Sequence, residues 1–196
     1  MSEVESLKNK VLDTIHAYLQ GLFPMAEDGI LGYYSCDPRS VFFFDRFHIP
    51  SRLKRIAKQN KVSFSINRDF ERVIRLCREG RDEWISEELV QIYLALHEQG
   101  MAHSVEVWQG SELVGGLYGT QFGAAFLAES MFHRQTHASN LGLLYLMERL
   151  EQGAFHFCDI QYANSHTERF NPVSVPRESF HEMYYKAIKS EAILRE

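Results

Sequence analysis

Apolar residues at helical spacing open the chain. Over residues 7–22 they recur every three or four positions, which predicts an amphipathic helix that ends before Pro24. The following stretch, Glu27 to Arg39, is rich in Gly and contains two adjacent tyrosines, so we interpret it as a turn-rich connector. We therefore expect a small N-terminal helical unit over residues 1–35 and a larger domain over residues 36–196.

The next part of the chain alternates between helical and strand patterns. Pro50 at a first helical position predicts a helix that runs to about Gln59, and period-two alternation over residues 62–66 predicts a strand. An apolar stripe over residues 70–77 predicts a second helix. A third is predicted to begin after Ser86, whose hydroxyl is expected to cap it.

The pattern after residue 102 predicts a mixed sheet. Three consecutive strands joined by short turns form an antiparallel meander: Ser104–Trp108, Glu112–Gln121 and Ala124–Phe132. An apolar helix follows over Leu141–Leu150, with Ser139 as its expected N-cap, and then a buried strand over Phe155–Gln161. A strand, a helix and a strand in succession require a crossover and parallel pairing. The predicted fold class is therefore α+β, a mixed sheet flanked by helices, and Pro176 is expected to introduce a final helix.

The composition fits a single globular protein. Of the 196 residues, 45% are hydrophobic and 24% are charged, which excludes a disordered, collagen-like or coiled-coil chain. The net charge of -5 gives no general reason to expect a nucleic-acid partner. Any site for a nucleic acid would therefore have to be local.

One segment has the opposite charge. Between residues 46 and 61 there are six basic residues and no acidic one: Arg46, Arg52, Lys54, Arg55, Lys58 and Lys61. A basic helix on an acidic protein indicates an anionic partner. An ordinary solvated helix face is the alternative, since short runs of Lys and Arg are common.

The cysteines and the chain terminus indicate the cytoplasm. Cys36, Cys77 and Cys158 are widely spaced, so neither a disulfide framework nor a thiolate zinc site is predicted. Charges run through residues 1–13, where a secretory signal would need an apolar core, and no stretch approaches the roughly 20 apolar residues that span a bilayer. We expect a cytoplasmic protein with no membrane segment.

Familiar catalytic and cofactor motifs are absent from the sequence. His133 and His137 are four residues apart, but Arg134 occupies the place of a zincin glutamate and no third ligand is evident. There is no Gly-x-Ser-x-Gly elbow and no Gly-rich phosphate loop. We therefore predict no metal and no cofactor.

Three polar residues interrupt strands that are otherwise apolar. Glu129 lies within Phe126–Phe132, where its carboxylate needs a cationic or hydrogen-bonding partner from the protein or from a ligand. Asp159 and Gln161 are two apart on the next predicted strand, so we expect both side chains on one face and able to enter one cavity. Structural hydrogen bonds are the alternative for each.

Several motifs, taken in order, resemble those of the bacterial leucyl/phenylalanyl-tRNA-protein transferases. The most specific are His-Ser-Val-Glu at 103–106, Leu-Val-Gly-Gly-Leu-Tyr-Gly at 113–119, Glu-Ser-Met-Phe at 129–132 and Asp-Ile-Gln at 159–161. The resemblance extends from about residue 21 to residue 180.

This resemblance implies a fold, a reaction and a set of site residues. It implies an N-acetyltransferase-like (GNAT) domain that moves Leu or Phe from aminoacyl-tRNA to the α-amine of proteins with N-terminal Arg or Lys, marking them for degradation. Glu129 matches the acceptor-recognition glutamate, and Asp159 with Gln161 matches the catalytic pair. The remaining matches are hydrophobic donor-pocket positions, Phe126 and Trp84, with Tyr33 and Tyr34 where the family commonly has tryptophans.

The basic helix then has a role. Arg52, Lys54, Arg55 and Lys58 are predicted to hold tRNA phosphates by contacts that do not depend on base sequence. Two other functions stay open: an acyl-CoA N-acyltransferase, whose phosphate-binding turn is missing here, and a non-catalytic binder of basic N-termini, which would have no use for the basic helix or for the pair Asp159 and Gln161.

Overall fold

The computed structural model describes residues 3–59, 61–79 and 84–195. Within them the chain forms six α-helices: α1 (Glu3–Leu19), α2 (Ser51–Gln59), α3 (Phe70–Arg78), α4 (Glu87–Glu98), α5 (Ala138–Gln152) and α6 (Arg177–Ala187). The same residues form nine strands: β1 (Phe23–Glu27), β2 (Ile30–Tyr34), β3 (Arg39–Phe42), β4 (Ser63–Ile66), β5 (Ala102–Gln109), β6 (Glu112–Phe122), β7 (Ala125–His133), β8 (Phe157–Asp159) and β9 (Val173–Val175). None of the described helices has the length and apolar character needed to cross a bilayer.

Seven strands form one mixed sheet in the order β4-β5-β6-β7-β8-β3-β9. β4 to β7 are antiparallel, so the predicted meander is confirmed. α5 then crosses over, and β8 pairs with β7 in parallel, also as predicted. β3, from an early part of the chain, inserts between β8 and β9 and is antiparallel to both. The predicted α+β class, a mixed sheet flanked by helices, is confirmed.

Apolar side chains on the two faces of the sheet form two principal clusters. Helices α1, α3, α4 and α6 contribute to the cluster on one face. Helices α2 and α5 contribute to the cluster on the other. Successive strand residues alternate between the clusters, as the pleat requires: Leu117 packs with α5 and Tyr118 with the opposite helices. The sheet is therefore covered on both sides.

The N-terminal residues make a helix and a ribbon that join the first of these clusters. The predicted connector contains β2, which pairs with β1 as a two-stranded antiparallel ribbon. Val11 and Tyr18 from α1, and Phe23 from β1, are buried in the same cluster as residues of α3 and α4. Period-two alternation does not mark this ribbon, because β2 has no buried residue along its length and Pro24 and Gly32 interrupt the two short strands.

The two predicted helix caps differ in outcome. Ser86 caps α4 as expected, because its Oγ accepts a hydrogen bond from the backbone N–H of Leu89 at 3.2 Å. The prediction for Ser139 is wrong: α5 begins at Ala138, and His137 precedes it in the left-handed conformation at φ 72°. Ser139 therefore lies inside the first turn, where it cannot act as N-cap.

Candidate active site

A cavity opens where β7 and β8 separate. The two strands are paired only at Ala125–Leu127 and Phe157–Asp159. Beyond those pairs a cavity of about 490 Å³ lies between them, within the size range of small-ligand sites. Its lining includes Phe23, Pro24, Met25, Phe42, Trp84, Leu117, Glu129, Ser130, Leu143, Ile160 and Gln161. The walls are mainly apolar, and the polar lining residues include Glu129, Ser130, His133, Ser139, Gln161, Asn164, His166 and Thr167.

Glu129 reaches this cavity because it is the extra residue of a β-bulge. Tyr118 pairs with Ser130 and Gly119 pairs with Ala128, so Glu129 has no partner across the ladder. A bulge of this kind re-aims a side chain and is common beside active sites. A Cβ on Gly119 would lie 2.3 Å from the Leu127 carbonyl oxygen, so glycine permits the close approach of the two strands here.

The environment of Glu129 brings the pKa of its carboxyl group close to neutral pH. The Tyr18 hydroxyl donates to its Oε1 at 2.7 Å and also contacts the Tyr93 hydroxyl at 2.7 Å. Burial, together with the Asp159 charge, raises the pKa of Glu129 to about 7, although the Tyr18 hydrogen bond and the Arg39 charge act in the opposite direction. No basic side chain of the described residues is in ion-pair contact with this carboxylate. A cationic ligand would therefore supply the missing partner.

Gln161 also lines this cavity. Its backbone is left-handed, at φ 57°. Its N–H donates to Asp159 Oδ1 at 2.8 Å, and its carbonyl accepts from the Ser40 N–H at 2.8 Å and the Cys36 thiol at 3.1 Å. Within the described residues the buried Nε2 has no hydrogen-bond partner. Leaving such a donor unpaired costs about 1–3 kcal/mol, so a ligand group that reached Nε2 would remove this cost.

Asp159 lies behind the cavity wall and not in it. Its carboxylate is fully buried and faces Arg39, whose Nε lies 3.0 Å from both carboxylate oxygens and whose Nη2 lies 2.7 Å from Oδ2. The expectation that Asp159 and Gln161 project from one face does not hold. β8 ends at Asp159, and the left-handed turn at Gln161 breaks the alternation on which that expectation rested.

Arg39 was not among the predicted site residues. It is only 1% exposed, and its partner is 120 positions away in the sequence. The signal for it was indirect: a fully buried aspartate in an apolar strand requires a cation, but nothing in the sequence identifies which one. Tyr18 and Tyr93 were also not identified from the sequence. Their periodic spacing marks them only as core residues of α1 and α4.

The other predicted pocket residues divide into two groups. Trp84 lines the cavity, and its backbone carbonyl accepts from the Ala26 N–H of β1 at 2.9 Å. Phe126 does not line it: the side chain is 1% exposed and packs against Phe155 in the cluster under α5. On β7, Phe126 is three residues before the bulge, which puts it in the regular, fully paired part of the strand.

The two tyrosines of β2 are also outside the cavity lining. The Tyr33 hydroxyl is 3.0 Å from Thr14 Oγ1 on α1, and the Tyr34 hydroxyl donates to Glu27 across the ribbon at 3.0 Å. The cavity is instead reached by β1, whose Phe23 and Pro24 pair with these tyrosines. The structure thus places the ribbon at the site through its other strand.

A second buried carboxylate serves the fold. Glu106 accepts from the hydroxyls of Ser65 at 2.6 Å and Ser104 at 2.5 Å, and from the backbone N–H of Asp69 at 3.4 Å. Asp69 immediately precedes α3, so Glu106 ties the start of that helix to the sheet. Unlike Glu129, this carboxylate is surrounded by donors and is not part of the cavity lining.

The basic residues of α2 are exposed to solvent. Leu53 is buried against the α5 cluster, while Arg52, Lys54, Arg55 and Lys58 are exposed. None of the four forms an ion pair with another described residue. They therefore present an uncompensated positive surface on the same side of the sheet as α5.

The described residues contain no cluster of three or more His, Cys, Asp or Glu side chains arranged to hold a metal ion. His133 is exposed at the end of β7, and His137 precedes α5. The two histidines therefore do not lie on one helix, where their imidazoles could have faced the same metal ion.

Sequence comparison with known proteins identifies one family. The model of the family described as leucyl/phenylalanyl-tRNA protein transferase matches residues 41–185. A protein named leucyl/phenylalanyl-tRNA–protein transferase from Salinibacter ruber is 41% identical over 176 residues, covering 89% of this chain and 78% of the relative. One of the same name from Gloeobacter violaceus is 43% identical over 168 residues, covering 85% and 87%. Among solved structures, the PaiA N-acetyltransferase of Thermoplasma acidophilum is 15% identical with a TM-score of 0.40, covering 63% of this chain and 87% of that one.

Proposed function

This chain belongs to the leucyl/phenylalanyl-tRNA protein transferase family, and from that premise we propose that the cavity between β7 and β8 is its active site. The chain is a transferase that moves an aminoacyl group from tRNA to a protein N-terminus. The acceptors we propose are proteins that begin with Arg or Lys, and the added Leu or Phe marks them for degradation. A cytoplasmic setting is part of this proposal, since charged tRNA is used there.

The single observation that carries the acceptor assignment is the state of Glu129. Its carboxylate faces the cavity at a bulge, hydrogen-bonded by Tyr18, with no described basic side chain in ion-pair contact. A guanidinium or ammonium group from the acceptor's first residue would form a charge-assisted contact there. An uncharged first residue would leave the carboxylate without that contact, so basic N-termini are favoured.

Gln161 is the group that we assign to the reacting atoms. An amide is too weak a base to remove a proton at neutral pH, but its oxygen can accept an N–H of the neutral α-amine and direct the lone pair. Its unpaired Nε2 can donate to the ester carbonyl oxygen, where negative charge develops in the transition state. Asp159 acts behind it, holding the Gln161 backbone.

The chemistry itself requires positioning more than activation. The amine nitrogen bonds to the ester carbonyl carbon, the bond from that carbon to the ribose oxygen breaks, and one amine proton ends on the released hydroxyl. The aminoacyl ester is already activated, so no nucleoside triphosphate is consumed. Holding the amine and carbonyl in attack geometry can contribute about 7–11 kcal/mol.

The apolar walls of the cavity suit the donor side chain. Trp84, Leu117 and Leu143 are among the lining residues and leave an apolar surface for Leu or Phe. A pocket of this kind separates ligands that differ by one methylene by only about 1–3 kcal/mol. Preference among apolar donors should therefore be graded.

The exposed cations of α2 would hold the tRNA through its phosphates. Such contacts position a nucleic acid without reading its bases, as an enzyme with more than one tRNA substrate requires. Because these cations lie together on one helix, the surface can be locally positive although the net charge of the chain is -5.

Incubation with Phe-tRNA and an Arg-initiated peptide tests the proposal. We expect a product heavier by one Phe residue, and far less product from an Ala-initiated peptide of the same sequence. The Glu129→Gln variant should lose most of this preference while still transferring Phe. Transfer from an acyl-CoA but not from Phe-tRNA would refute the proposal, as would equal use of both peptides by the original chain.

A further inference from the structure

We propose that Arg39 is a positioning residue for the transfer reaction: through its two-pronged pairing with Asp159 it holds Gln161 with its side-chain amide facing the cavity. This inference rests on the proposed function, because it concerns the same site. Arg39 does not line the cavity, so any effect on the reaction must pass through the groups that it holds.

The guanidinium of Arg39 is held on several sides. It makes three contacts of 2.7–3.0 Å with Asp159, which is the fork geometry that only arginine offers a carboxylate. Its Cζ lies 4.9 Å from the Phe23 ring centroid and 4.8 Å from that of Phe180. The ribbon, the sheet and α6 therefore all contribute to its orientation.

The chain of contacts continues directly from Asp159 to Gln161. Asp159 Oδ1 accepts both from Arg39 Nε at 3.0 Å and from the Gln161 N–H at 2.8 Å. On the other side of the same residue, Ser40 on β3 donates its N–H to the Gln161 carbonyl at 2.8 Å. Two consecutive residues of β3 thus fix both backbone polar groups of Gln161, one directly and one through Asp159.

Gln161 needs this support because its conformation is unfavourable. A left-handed backbone is uncommon for residues other than glycine, and it persists only where neighbouring groups enforce it. If the Asp159 carboxylate turned away, the backbone would relax and the amide would move. A shift of about 1 Å in a reacting group can lower a rate by about a hundredfold.

Arg39 also affects the acceptor end of the site through charge. The Asp159 charge raises the pKa of Glu129, and Arg39 lowers it. Without the guanidinium, Glu129 would face an uncompensated buried carboxylate and would ionise only at higher pH. A purely structural role for Arg39 predicts no such change, so this pH dependence separates the two explanations.

Arg39→Lys is the first test, with aminoacyl-adenosine as donor and an Arg-initiated peptide as acceptor. Lysine keeps the charge but cannot form the fork, so we expect kcat to fall at least about tenfold with the acceptor KM changed much less. Arg68→Lys is the matched control, because that guanidinium also stacks on a ring, at 4.4 Å from Trp108, but outside the cavity lining. It should keep the original kcat.

A double-mutant cycle completes the test. If Arg39 acts through Asp159, the double variant Arg39→Met with Asp159→Asn should have the kcat of Asp159→Asn alone. The double variant removes both charges of the buried pair, so it has no unpaired buried carboxylate of the kind that could unfold Arg39→Met. Where Arg39→Met folds, its preference for Arg-initiated peptides should appear at higher pH than in the original chain.

Three results would overturn the inference: an Arg39→Lys kcat within about twofold of the original, additive effects in the cycle, or an unmoved pH dependence in folded Arg39→Met. Circular dichroism on each variant separates lost turnover from lost fold. Absence of transfer by the original chain would instead refute the proposed function, so the two failures are distinguishable.

Discussion

The pH dependence of acceptor preference follows directly from the surroundings of Glu129. With a pKa of about 7, its ionised fraction rises about tenfold between about pH 6 and about pH 8. Only the ionised form pairs with a basic first residue. The preference for an Arg-initiated peptide over one initiated by norleucine, which has a neutral side chain, should therefore also rise about tenfold over this interval.

The ratio of kcat/KM for the two peptides is the quantity to measure. Both peptides carry an α-amine that must be neutral to react, with an ordinary pKa of about 7.7–8.0, and this dependence largely cancels in the ratio. Glu129→Gln keeps the shape and can still accept from Tyr18, but it cannot ionise. Its ratio should be low and independent of pH.

The reasoning would be refuted by a ratio that stays constant from about pH 6 to about pH 8 in the original chain, because the carboxylate would then not titrate near neutrality. A Glu129→Gln variant with the full preference for Arg would refute the assignment of Glu129 itself. The first result concerns the electrostatics of the site, and the second concerns which residue recognises the acceptor.

Stability provides an independent check on the same carboxylate. The pKa of Glu129 in the folded chain, about 7, lies above its ordinary value of 4.5, so the folded state holds this proton more tightly than the unfolded state does. The free energy of unfolding due to this group therefore falls as the pH rises from about 4.5 to about 7 and is level above that. Urea unfolding should show Glu129→Gln gaining stability relative to the original chain across this window.

Three further predictions concern the basic helix, a helix cap and the bulge. Reversing Lys54 and Arg55 to Glu should raise the tRNA KM and reduce the slope of log affinity against log salt by roughly two units, while aminoacyl-adenosine still reacts; an unchanged slope would exclude phosphate contacts. Ser86→Ala should lower the free energy of unfolding by about 1 kcal/mol in urea, because the Leu89 N–H loses its acceptor, and a loss below a few tenths would show that water replaces the cap. Gly119→Ala should raise the acceptor KM, since its Cβ would displace the carbonyl opposite and with it the bulge; an unchanged KM would mean that the strands adjust without moving the carboxylate.

Much of the fold was predictable because its signals are local. The alternation along β5, β6 and β7 and the apolar period of α5 depend on neighbouring residues, so the meander and the crossover could be recognised from the sequence. The cap at Ser86 is similarly local. Short elements with mixed composition were not recognised: β3 is four residues long, and its place between β8 and β9 depends on strands more than 100 positions away.

For the site, the sequence by itself identified the polar residues that needed a partner, and only the tertiary structure decided what the partners are. A carboxylate within an apolar strand needs a cation or a hydrogen-bond donor beside it, which is why Glu129 and Asp159 were identified. The two carboxylates have different partners in the structure. Asp159 pairs with Arg39, 120 positions away, whereas Glu129 accepts a hydrogen bond from a tyrosine 111 positions away and pairs with no described cation. The reason is physical. Spacing along the chain sets the direction of a side chain within one element, whereas bulges, left-handed turns and the packing of distant elements decide which groups finally meet.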